Sequence, residues 1–158
     1  MRPAFTAGRI CLRIPKGTLP VMSSAPSDLD MSDIARLVDR FYERVRVDPE
    51  IGPVFNAAVH DWDAHKRLLT SFWASIALRA GTYRGNPMAA HQALPINAGH
   101  FTRWLALWRE TCAQELKAEH ATQLIGSAER IGRSLAYGLG IGDETRHPGL
   151  RIVGITPG

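Results

Sequence analysis

An all-α domain is what this sequence predicts, on three observations. From Met31 onward, apolar residues recur at spacings of three and four, the period of a helix with one buried face. The segments carrying that period are bounded by residues that start and stop helices: Asn, Asp and Ser before them, Gly and Pro after them. No stretch shows the apolar–polar alternation of a half-buried strand, and no internal repeat is visible.

Residues 1–30 scatter proline, glycine and serine through a stretch without sustained period, so they cannot bury enough surface to offset the entropy of ordering. This segment reads as a disordered basic leader, acid-poor like an organelle transit peptide but lacking the continuous apolar stretch of a secretory signal. An upstream start site is the second reading, because Met22 and Met31 both precede the periodic part. Ser32 and Asp33 are candidate caps of a first helix, in which Ile34, Leu37, Val38, Phe41, Tyr42 and Val45 share one face. Asp48 and Pro49 stop it. "PEIGPVFNAA" then reads as a turn-rich connector.

A longer helix starts near Asp61, presents Trp62, His65, Leu69, Phe72, Trp73 and Ile76 on one broad face, and ends at Gly81 with Arg79 near its terminus. "GTYRGNP" is a loop, and Pro87 suits the first turn of a short helix ending before Pro95. Asn97 caps the next helix, whose stripe is Phe101, Trp104, Leu105, Trp108, Cys112 and Leu116. Leu124, Ala128, Ile131, Leu135 and Leu139 form the stripe of the last one. From Gly140 the chain is again rich in glycine and proline. The expected organisation is therefore one domain over residues 31–140, between the leader and a flexible tail at 141–158.

A chain of 158 residues has the length of one domain and can bury one core. With 45% hydrophobic and 22% charged residues and no long apolar run, it offers no transmembrane candidate. The net charge of +4 comes from Arg2, Arg9, Arg13 and Lys16, all ahead of the first acid, Asp28; the remainder is neutral. A basic tail on a neutral domain is not a phosphate-tracking face, so neither nucleic acid nor a membrane is read as a partner. The two cysteines, Cys11 and Cys112, make no disulfide framework, which points to a reducing, cytoplasmic setting.

Reactive motifs are few. There is no glycine-rich phosphate loop, no cysteine pair at zinc spacing and no Gly-x-Ser-x-Gly elbow. Six histidines remain. A zinc site needs three or four protein ligands, and only His65 and His91 are well placed. Haem needs only one axial imidazole, because the porphyrin supplies four nitrogens. Taken singly, each residue has a plain role: His91 and His100 on the surface, His65 in the core, Tyr42 and Trp104 as packed aromatics.

Together, four segments in order, "FYERVRVDPEIGPVFN", "WDAHKRLLTSFW", "GTYRGNPMAAHQALPI" and "HFTRWLALW", resemble the group III truncated haemoglobins, a bacterial branch with a shortened two-over-two globin sandwich. The resemblance spans about residues 31–140 and reaches neither tail. It implies haem b, with His91 in the "P-x-x-x-H-x-x-L-P" segment as the iron ligand and His100 not a ligand. It also implies Tyr42, His65 and Trp104 as donors stabilising the gas ligand, and Phe41, Phe55, Phe72 and Trp73 as pocket walls. The absence of double-glycine helix stops fits this subgroup. The implied function is binding of O2, NO or CO at five-coordinate iron, with nitric oxide dioxygenation or peroxide reduction fed by an external reductase, or tight oxygen binding. His65 would also swing as a gate. The competing expectation is a haem-free helical binding or sensory module in which these residues are ordinary core and surface.

Overall fold

In the computed structural model, which describes residues 28–141, every regular element among those residues is a helix. The leader and tail expected from the sequence lie outside the described residues, apart from the last of the leader and the first of the tail.

Helix α1, Met31–Val47, is capped by Asp30, whose carboxylate accepts the Ser32 and Asp33 N–H groups at 2.8 and 3.0 Å. Asp33 accepts the Asp30 N–H in return. The expectation that Ser32 and Asp33 are the caps is thus shifted. The reciprocal pair needs side-chain acceptors at the cap and three residues on, and Asp30 with Asp33 provides them. Asp48 ends α1, and its carboxylate accepts the N–H groups of Glu50 and Ile51.

Residues 49–58 are not simply a connector. Gly52–Ala58 form α2, with Pro53 in its first turn. Gly52 is buried where α2 meets the end of α1; a Cβ there would stand 3.0 Å from the Val45 and Arg46 carbonyl oxygens, so the crossing needs a bare residue.

Helix α3, Trp62–Ala77, is capped by Asp61, whose carboxylate accepts the Ala64 N–H. It ends before Gly81, since the chain turns left-handed already at Arg79 (φ 55°) and the Ala80 N–H returns to the Ala74 carbonyl. Helix α4, Pro87–His91, is one short turn capped by Asn86. Asn97 caps α5, Ala98–Glu115, and α6, Ala118–Gly138, completes the fold.

The helices stack two over two: α1 packs on α3, α5 on α6, and α1 crosses onto α5 to join the pairs. The buried face of α1 is the one its period marks, Ile34, Leu37, Val38, Phe41, Tyr42 and Val45. It meets Trp73 and Ala74 of α3, Trp108 and Cys112 of α5, and Leu124 and Ala128 of α6. Trp73, Trp104 and Trp108 stack nearly parallel, with Trp73 and Trp108 centroids 4.2 Å apart, and Phe41 stands edge-on to Trp104 and Trp108. The Cys112 thiol is pushed up to about 12 by burial, so it stays protonated.

One ion pair pins the α1–α2 corner to α5. Arg103 reaches Asp48 at 2.7 Å, and the carboxylate is almost wholly buried. Burial alone would raise the Asp48 carboxyl. The Arg103 hydrogen bond and the Ile51 and Glu50 N–H groups outweigh it and hold the carboxyl below its usual range. No helix among the described residues is long and apolar enough to cross a membrane.

Candidate functional site

A cavity of about 240 Å³ opens between the two helix pairs. Its lining is mostly apolar, with Val54, Phe55, Leu69, Phe72, Phe101 and Ile131 among the walls. Of the residues singled out in the sequence, Tyr42, Phe55, His65, Phe72, Trp73, His91 and Trp104 all reach it. Phe41 does not. It lies one layer behind the wall, fully buried, edge-on to Tyr42 at 4.8 Å and to Trp104 at 5.5 Å, and so supports two lining residues from the rear.

His91 stands at the end of α4. Its Nδ1 lies 2.6 Å from the Pro87 carbonyl oxygen. A carbonyl only accepts, so Nδ1 carries the hydrogen, and the Nε2 lone pair is left available to a ligand. The partner that fixes the ring is a backbone atom one helical turn earlier, which no side-chain motif discloses.

Tyr42, His65 and Trp104 converge from α1, α3 and α5. Tyr42 is buried, and desolvation pushes its phenol far above the usual tyrosine value, against a hydrogen bond from the Trp104 indole that pulls it down. The phenol therefore keeps its hydrogen and can donate it. Burial lowers the His65 imidazole, with the nearby His91 adding to the shift, so a neutral ring is favoured there. The ring is edge-on to Tyr42, with centroids 5.2 Å apart, and its Nε2 is buried without a partner. The Trp73 indole N–H is likewise buried and unpartnered.

Two polar lining residues were not anticipated. His100 is not simply a surface residue: its Nδ1 accepts the Asn97 N–H at 3.2 Å, closing the α5 capping box, and the ring forms part of the wall. Tyr83 joins the wall from the loop before α4, edge-on to Phe72. The "TYRG" stretch held a signal for it: a Cβ at Gly85 would fall on the phenol, so the glycine leaves room for the ring.

Among the described residues no group of three or more His, Cys, Asp or Glu is placed to hold a bare metal ion. An apolar slot with an imidazole anchored through its Nδ1 and several neutral donors suits a cofactor that brings its own metal and most of its ligands. Haem does so.

Comparison with known proteins points the same way. The model of the family described as bacterial-like globin matches residues 30–134. The chain belongs to this family. Within it the chain is a group III truncated haemoglobin. It is 38% identical over 108 residues to the group 3 truncated hemoglobin ctb of Campylobacter jejuni, a match covering 65% of this chain and 85% of that protein. The crystal structure of a group III truncated hemoglobin from Campylobacter jejuni superposes with a TM-score of 0.68 at 29% identity, covering 77% of this chain and 98% of that one. The two-over-two stack is thus the truncated globin sandwich, haem b is the cofactor of such a globin, and diatomic gases are its ligands.

Proposed function

We propose that His91 holds the haem iron of this globin and that Tyr42, His65 and Trp104 stabilise the gas on the opposite face, so that the protein performs redox chemistry on its bound ligand. The observation that carries this reading is the His91 ring, anchored through Nδ1 to the Pro87 carbonyl with Nε2 unspent beside an apolar cavity. When bound, haem would be held by His91 and would supply a redox-active iron able to bind O2, NO or CO.

The side chains do the rest. Phe55, Phe72 and Trp73 exclude water from the slot. The Tyr42 phenol, kept protonated by burial, and the Trp104 indole are donors fixed in place before any ligand arrives, so no reorganisation is needed when negative charge develops between them. His65, kept neutral, adds a third donor when its ring faces the cavity, and leaves the path open when it swings away. Three donors favour retention over delivery, which suits nitric oxide dioxygenation or peroxide reduction with electrons from an external reductase.

The test begins with the visible spectrum of the purified protein, oxidised, reduced and under carbon monoxide. A Soret band that shifts at each step is expected. His91→Ala should lose or loosen the haem, whereas His100→Ala should retain it. Equal haem retention by both variants would remove His91 from its role.

A further inference from the structure

Beside the cavity, but outside its lining, stands Trp62, the first residue of α3. Three side chains pack against its ring. The His65 imidazole is edge-on to it, with centroids 5.6 Å apart at 88°. The Tyr42 ring lies 6.1 Å away, and the Arg46 guanidinium sits 5.1 Å from the indole centroid.

That packing is tied down from outside. Arg46 pairs with Glu43 at 3.1 Å, Glu43 pairs with Lys66, and Lys66 reaches Asp39 at 2.7 Å. Asn56 of α2 donates to the Arg46 carbonyl. Lys66 directly follows His65, so these pairs tie the first turns of α3 to α1 beside the His65 ring.

We propose that Trp62, held by Arg46, is the positioning residue that keeps the His65 side chain in its inward place, a latch for the gate. This rests on the reading of His65 as a gate and goes beyond it. In the inward place the ring makes edge contacts with Tyr42 and Trp62, while its Nε2 is buried without a partner. Swinging outward gives Nε2 to water and gives up both edge contacts. The two effects oppose each other and are of similar size, so the population of the open position depends on each contact. The Tyr42 contact cannot be varied without touching the ligand. The Trp62 contact can, because Trp62 has no place on the cavity wall.

The experiment is a mutant cycle on the full haem-loaded chain in its ferrous form. Carbon monoxide association is followed after flash photolysis in wild type, Trp62→Phe, Trp62→Ala, Arg46→Met, His65→Ala and the His65→Ala/Trp62→Ala double variant. NMR of the His65 ring in the carbon monoxide complex gives a second readout. Loss of one edge-to-face contact corresponds to a roughly 2- to 12-fold change in an equilibrium. Trp62→Ala should therefore speed association by about that factor and shift the His65 ring signals. Trp62→Phe, which keeps an aromatic edge, should restore most of the wild-type behaviour and guards against a folding artefact. Arg46→Met should act in the same direction and more weakly. In the His65→Ala background, Trp62→Ala should add nothing.

Equal acceleration by Trp62→Ala in both backgrounds would make Trp62 a plain cover and overturn the latch. So would a fast His65→Ala variant beside an unchanged Trp62→Ala. An unchanged His65→Ala rate would instead remove the gate itself, and the latch with it.

Discussion

On the proposed assignment, replacing Tyr42 and Trp104 by phenylalanine removes two of three donors to the ligand. The Tyr42 ring is 3% exposed and held by Phe41 at 4.8 Å, His65 at 5.2 Å and Phe55 at 6.0 Å, so a phenylalanine at 42 keeps the same pose and loses only the hydroxyl. A net hydrogen bond contributes about 1 kcal/mol, and up to about 3 kcal/mol to a charged acceptor. Each donor lost should then speed oxygen release roughly 5- to 150-fold. The single variants need not multiply, because the two side chains are neighbours in one cavity wall and each stands beside the ring of Phe41. The expected order is therefore wild type, then either single variant, then the double variant, which is fastest. Stopped-flow displacement of oxygen by carbon monoxide measures the rates directly. A double variant that releases oxygen no faster than wild type would refute the assignment of these two side chains as ligand-stabilising donors.

Two further expectations concern the frame. Asp48→Asn breaks the pair with Arg103 and weakens the turn at Ile51, and the loss of stability should read as a lower urea midpoint at unchanged slope. The Asp48 carboxyl is held below its unfolded value, so its stabilisation is full above the usual aspartate range near pH 3.9 and lost as pH falls through the folded value; the variant should show a shallower acid loss there. Cys112 is wholly buried and pushed up to about 12, so in a Cys11→Ser background a thiol reagent at pH 7 should react only as fast as the domain opens; rapid reaction in native buffer would contradict the packing of α5 against α1.

What the sequence discloses depends on how each signal arises. The stripes of α1, α5 and α6 run over several turns, so period alone places Phe41, Trp108 and Leu124 in the core. Helix α2 has seven residues, begins with Gly-Pro and buries only Gly52, too little for a period to show. The cap of α1 is ambiguous in one dimension because Asp30, Ser32 and Asp33 are all acceptors, and the choice falls to the pair that can bond reciprocally. In the cavity, Tyr42, His65 and Trp104 come from three helices and His91 from a fourth, a convergence that spacing along the chain does not express. Phe41 illustrates the limit: its face is legible, but whether it forms the wall or stands behind it depends on a few ångströms of helix rotation. His100 is similar, since the capping bond that turns its ring is visible only once Asn97 is placed.

The arrangement of the indoles has an optical consequence. All four tryptophans of the chain, at 62, 73, 104 and 108, belong to one aromatic cluster on or against the cavity, and none is placed elsewhere as a bystander. Ultraviolet emission from this protein is therefore a report from a single locality. Haem, absorbing where indole emits, would darken the whole signal at once, so that a titration of the apoprotein counts filled sites directly, and the same light returns whether the cofactor leaves or the fold opens around it.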